Sequence, residues 1–158
     1  RQGTAFFASA CMIAIGGGVA VIGNAAAVQR LANELPIDGT GPDVAAKMLP
    51  VILFLANALL KFVWAHRLFG YCSILMAAVP NDPDDPLAFH RAGKAAEINI
   101  TAARSFNRGL RSIYYALASL GWLLGPWGLM AGAVLATGIL IRREFASHSR
   151  EVILAREP

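Results

Sequence analysis

The stretch Ala56–Pro80, ANALLKFVWAHRLFGYCSILMAAVP, decides how this chain is to be read. Thirteen uncharged residues precede Lys61 and fourteen follow Arg67, so Lys61, His66 and Arg67 stand inside a long apolar run. From Met48 to Val79 that run has 32 residues. As one helix it rises about 48 Å, more than the roughly 30 Å hydrocarbon core of a bilayer. A charge at the bilayer centre costs at least about 2.5 kcal/mol on insertion scales. At headgroup depth the same groups are favourable, because Lys and Arg reach phosphates and a tryptophan such as Trp64 fits an aromatic belt. The cluster therefore predicts a membrane surface near Trp64 to Arg67. Residues 48–66 cross, and 68–79 continue outside as an apolar helix that needs a partner.

Composition supports lipid as the solvent. The chain is 56% hydrophobic and only 15% charged, with a mean hydropathy of +0.53. A soluble domain of this size needs more polar residues to cover its surface. Gly3–Val28 carries no formal charge over 26 residues, and Ser112–Ile141 none over 30. About 20 apolar residues suffice for a crossing. The first run is too long for a secretory signal core, and no initiator Met precedes it. These features predict an all-α, polytopic membrane protein with one helical domain over 1–158. Its spans lie at about 5–28, 48–66 and 118–141, joined by a loop at 29–47 and followed by a tail at 142–158. A helical hairpin at about 68–111 projects between the second and third spans.

Local signals fill in this outline. Ala10, Ala14 and Gly18 fall four apart in the first span, and Gly121, Gly125, Gly128 and Gly132 space the third similarly. Small residues at that interval admit another helix backbone. Pro126 should kink the third span, which Arg142 and Arg143 terminate. PIDGTGPD at 36–43 reads as irregular, with Asp43 placed to cap the next helix. PNDPDDP breaks the hairpin, and Asp85-Pro86 forms an N-cap and N1 pair. The acidic spacing there does not match a calcium loop. After the break, Ala92, Ala96, Asn99, Ala103, Phe106, Leu110 and Ile113 make a seam suited to covering 68–79. Arg104, Arg108 and Arg111 lie on another face, placed with Lys61, Trp64 and Arg67 for lipid headgroups or an acidic partner. Of the 14 Lys and Arg residues, eight fall on the hairpin side and six opposite, which leans toward a cytoplasmic hairpin. Cys11 and Cys72, both in apolar runs, read as free buried thiols.

Several short motifs together carry a resemblance. FFAS at Phe6–Ser9, WAHRLFGY at Trp64–Tyr71, FNRGLRSIYYALA at Phe106–Ala118, Trp122, Pro126 and RREF at Arg142–Phe145 resemble the bacterial membrane family called domain of unknown function 599. The resemblance extends over nearly the whole chain. It implies a bacterial inner membrane location, cytoplasmic or intracytoplasmic, and a fourth apolar span with a basic linker ahead of Arg1. It also implies a larger polar residue where Gly70 stands. The family has no established activity, so no catalytic or ligand residue transfers.

The chemistry-bearing residues point away from an enzyme. His66, His90 and His148 occur singly, without the spacing of a metal-binding helix. No nucleophile and base are brought together by the sequence, and the cations flank membrane segments rather than form a nucleic-acid face. No cofactor is called for. Ligation of a pigment or haem through His66 is the minor reading against a surface histidine beside Arg67. Asn57, strongly polar inside a span, is explained by an interhelical hydrogen bond. Three spans without an internal repeat are few for a transport pathway, which leaves a small oligomeric channel or transporter component as the alternative. The preferred reading is a structural or accessory subunit packing against other integral membrane proteins, with a photosynthetic or respiratory assembly as a natural host.

Overall fold

The computed structural model describes residues 2–33, 43–82 and 84–145, and every regular element in them is helical. In chain order these are α1 (Gln2–Gly23), α2 (Ala25–Asn33), α3 (Val44–Ala77), α4 (Ala88–Leu120), a 3₁₀ turn (Gly121–Leu124) and α5 (Pro126–Phe145). The expected tail at 142–158, with His148, lies outside the described residues from position 146 onward. So does the irregular segment 34–42. Among the described residues two helices are long and apolar enough to cross a membrane, Gln2–Gly23 and Val44–Ala77.

The first charge-free run is not one helix through Val28. It breaks at Asn24, whose side-chain amide donates to the carbonyl of Ala20 at 3.1 Å. An Asn that bonds back to its own backbone competes with the helical ladder and marks a natural interruption. By contrast, α3 passes through the Lys61–Arg67 cluster without a break and reaches Ala77 as 34 continuous residues. Asp43 stands at its start, its carbonyl accepting the Lys47 N–H at 3.1 Å as an N-cap carbonyl does. After Ala77 the chain turns. The Asp85 carboxylate accepts the Leu87 N–H at 2.7 Å, and α4 begins three residues beyond Asp85.

The third expected span is a correction. Residues 118–141 do not form one kinked helix. Instead α4 ends at Leu120, a 3₁₀ turn follows, and Gly125 adopts φ 103° and ψ 179° before α5 starts at Pro126. That backbone region is open essentially to glycine alone. A Cβ on Gly121 would strike the carbonyl oxygen of Gly128, and one on Gly132 would come within 2.8 Å of the Ala118 carbonyl oxygen. Approaches at 121–128 and 118–132, symmetric about Gly125, mean that the chain doubles back there. Its return limb has 16 uncharged residues before Arg142, about 24 Å of helix, short of a bilayer core. Among the described residues, two helices that are both long and apolar enough to cross therefore stand where three were expected.

Contacts divide the chain into two compact units, one holding Arg1–Val19 with Ile52–Ile113, the other Ala20–Val51 with the chain from Tyr114 onward. In the first unit each helix contributes one ring to an aromatic cluster. Phe7 of α1 stacks on Phe62 of α3 at 5.4 Å, and Phe106 of α4 meets both edge-on at 5.4 and 5.8 Å. Phe62 is wholly buried. Its ring lies against Gly109, where an added Cβ would be 2.8 Å from Cε1. The buried face of α3 in this unit is Leu55, Ala58, Phe62, Ala65, Leu68 and Cys72, steps of three and four that make a packing seam.

On α4 the seam has the expected period but a different azimuth. Ala92, Ala96, Asn99 and Ala103 are exposed, whereas Ala95, Ala102, Ser105, Gly109 and Ser112 are buried. The face actually used is made of the smallest side chains, because only they let the helix come close enough for Phe62 to lie on Gly109. The Cys72 thiol reaches the Ala95 carbonyl at 3.5 Å, and Arg91 donates to the Ala78 carbonyl at 2.8 Å, so the start of α4 packs along the end of α3. Asn57 donates to the Ser112 hydroxyl at 2.6 Å, the interhelical bond its position calls for.

Candidate functional site

The first unit contains a polar notch between α1 and α3. Its first member is Thr4, the only hydroxyl on the buried face of α1, which otherwise uses Cys11 and Gly18. Thr4 is 3% exposed. One helical heptad separates each of these residues from the next, so they form a single narrow stripe. On α3, His66 is half-buried, and its Nδ1 lies 3.0 Å from the Thr4 hydroxyl, 62 residues away in sequence. Among the described residues no buried side-chain nitrogen or oxygen lacks a partner.

Around this bond a groove of about 260 Å³ opens on the surface. Ala5, Ala8 and Val63 give it apolar walls, while Thr4, Ser9, His66 and Arg67 supply the polar atoms. No carboxylate lines it. Arg67 is exposed and donates through Nη2 to the Tyr71 hydroxyl at 3.3 Å, one turn along the helix. This contact uses one of the five guanidinium donors and keeps the side chain along α3. With one cation, one imidazole and two hydroxyls in an apolar cleft, the arrangement can hold an anionic oxygen cluster. A hydroxyl and an imidazole do adjoin here, those of Thr4 and His66, and the hydroxyl is buried.

A second groove, about 330 Å³, lies where the end of α3 meets the start of α4. Cys72, Met76 and Val79 line it from one side and Ala92, Ala95 and Asn99 from the other. It is apolar apart from Asn99, which sits on this groove and not in a buried seam.

Of the residues singled out for headgroups or partners, Trp64 and Arg67 are exposed on α3 and Lys61 is half-buried beside them. Arg104, Arg108 and Arg111 are exposed on α4. That helix carries five cations, Arg91 and Lys94 included, against the single carboxylate of Glu97. In the small-residue stripe of α1 only Gly18 is buried within the chain, while Ala10 and Ala14 face outward. Gly121, Gly128 and Gly132 instead line the close approach inside the second unit, where Arg143 also donates to the Tyr114 hydroxyl at 3.5 Å. Cys11 and Cys72 are free and buried. No group of three or more metal-ligating side chains occurs among the described residues.

Sequence reasoning missed Thr4 and Ser9. A usable sign was present: Thr4 begins the heptad stripe, and a buried hydroxyl in an apolar first turn must find a partner. Spacing alone could not reveal which residue 62 positions away would supply it.

Neither a curated protein nor a solved structure matches the chain. A family model does, described as a protein of unknown function, DUF599, and it covers residues 1–149. The motifs at Phe6–Ser9, Trp64–Tyr71, Phe106–Ala118 and Arg142–Phe145 all fall within that range, as do the aromatic cluster and both grooves. The chain belongs to that family.

Proposed function

We propose that this protein is an integral membrane structural or accessory subunit of the bacterial inner membrane, which packs against other membrane proteins and catalyses no reaction. The observation that carries the reading is the outward apolar face of the two long helices. Of the 22 residues of α1 only Thr4, Cys11 and Gly18 are buried, and Ile13 is 77% exposed. Leu53 and Leu60 of α3 are each 68% exposed. Apolar surface left in water is unfavourable by roughly 25 cal/mol per Å², and contiguous patches beyond a few hundred Å² are rare on soluble monomers. Lipid and partner helices remove that penalty together. The exposed arginines of α4 add a polar face for an acidic partner segment.

The test is fractionation followed by native purification. The protein should remain with membranes after alkaline carbonate washing and leave them only with detergent. In a mild detergent it should co-elute with a fixed partner at constant stoichiometry. Release into plain buffer would remove the membrane reading. Migration only as a lone chain would remove the accessory role while leaving the membrane reading intact.

A further inference from the structure

We propose that the groove between α1 and α3 in the first unit is a site for the phosphate headgroup of an anionic glycerophospholipid, with Arg67, His66 and Ser9 as its donors and Thr4 as the residue that positions His66. The proposal rests on the membrane reading above. Its chemistry follows from the lining. Apolar walls at Ala5, Ala8 and Val63 suit the glycerol and upper acyl carbons of an amphiphile, and the donors stand along the same cleft. A guanidinium matches two phosphate oxygens at once, more strongly than a point charge can.

The Thr4 bond holds the His66 ring by one edge. Its Nδ1 is engaged by the Thr4 hydroxyl. In the tautomer in which that hydroxyl donates, Nε2 carries the ring proton and presents a donor, the role that a phosphate oxygen requires. The other headgroup chemistries fit less well. A choline or ethanolamine ammonium needs a carboxylate or an aromatic box, and the groove has neither. An anionic lipid with a neutral alcohol on its phosphate, such as phosphatidylglycerol, matches this donor set.

Native mass spectrometry of the full chain in mild detergent, titrated with defined lipids, tests this. Phosphatidylglycerol should be retained about tenfold more than phosphatidylcholine. Arg67→Gln and His66→Ala should each lower its retention by about tenfold, the scale of one lost charge-assisted bond. Thr4→Val should lower it less, and Lys94→Gln, exposed on α4 away from the groove, should leave it unchanged. Circular dichroism and size-exclusion profiles check that each variant keeps its helices. Equal retention of the two lipids, or variants that bind as well as the parent, would overturn the site without touching the membrane reading. Displacement of the lipid by millimolar inorganic phosphate would reassign the cleft to a free anion. A visible absorption band in the purified protein that His66→Ala removes would reassign it to a tetrapyrrole.

Discussion

Phe62 and Gly109 form a pair in which one residue's bulk requires the other's absence of a side chain. The ring is fully buried and held on two sides by Phe7 and Phe106, so it cannot swing away from a new methyl 2.8 Å from Cε1. Gly109→Ala should destabilise the protein by about 1–3 kcal/mol, the range for overpacking a fitted core. Gly93 is the internal comparison, since it lies on the same helix with nothing within 4 Å of an added Cβ. Gly93→Ala should stabilise by about 0.5–1 kcal/mol through helix propensity. Thermal unfolding in detergent, followed by circular dichroism, reads both, and equal effects of the two changes would contradict the packing. The sequence disclosed part of this scale. Asn57, a lone amide in an apolar helix, demanded a hydrogen bond, and Ser112 provides it. The Thr4–His66 bond was hidden because no periodicity relates residues on helices so far apart in the chain.

Elements tell a sharper story, because hydropathy measures how apolar a segment is and not where it goes. The break between α3 and α4 was legible in PNDPDDP, where proline and aspartate leave no helical alternative. Its counterpart at Gly121–Pro126 lies in a stretch without a single charge, which reads as a crossing. The Gly125-Pro126 dipeptide is itself a turn mark, and Gly125 alone could take the φ of 103° that lets the chain reverse. Tyr114 and Arg143, joined through the tyrosine hydroxyl, stand at the open end of that hairpin. Cysteines placed singly at these two positions should therefore react with an impermeant maleimide from the same face of sealed vesicles. Labelling from opposite faces would restore a crossing helix. Gly121→Ala, whose Cβ meets backbone that cannot step aside, should destabilise more than Gly138→Ala, which meets nothing within 4 Å.

For the whole molecule, composition was the strongest guide. A charged fraction of 15% already argued for lipid, and helices are the form in which a chain satisfies its own backbone there. What composition could not convey is the division into two units, since α1, α3 and α4 each contribute to both. Surface charge belongs to this scale as well. Arg104 and Arg108 are exposed, so replacing both with Gln should change stability by no more than about 0.5 kcal/mol. If the proposed partner docks on this face, the same double variant should lose it at lower salt than the parent does, because exposed charge contacts are screened. Retention with an unchanged salt profile would remove those arginines from the docking face.

The three clustered rings carry an implication for biogenesis. They come from positions 7, 62 and 106, so no two consecutive helices can finish the hydrophobic centre by themselves. A nascent chain that has made α1 and α3 alone still holds Phe62 without its third neighbour and without the bare backbone at Gly109 that receives it. The cluster must then wait for α4, a helix rich in cations, to be synthesised and dock. The order of synthesis thus makes the least apolar of the long helices the one that locks the other two.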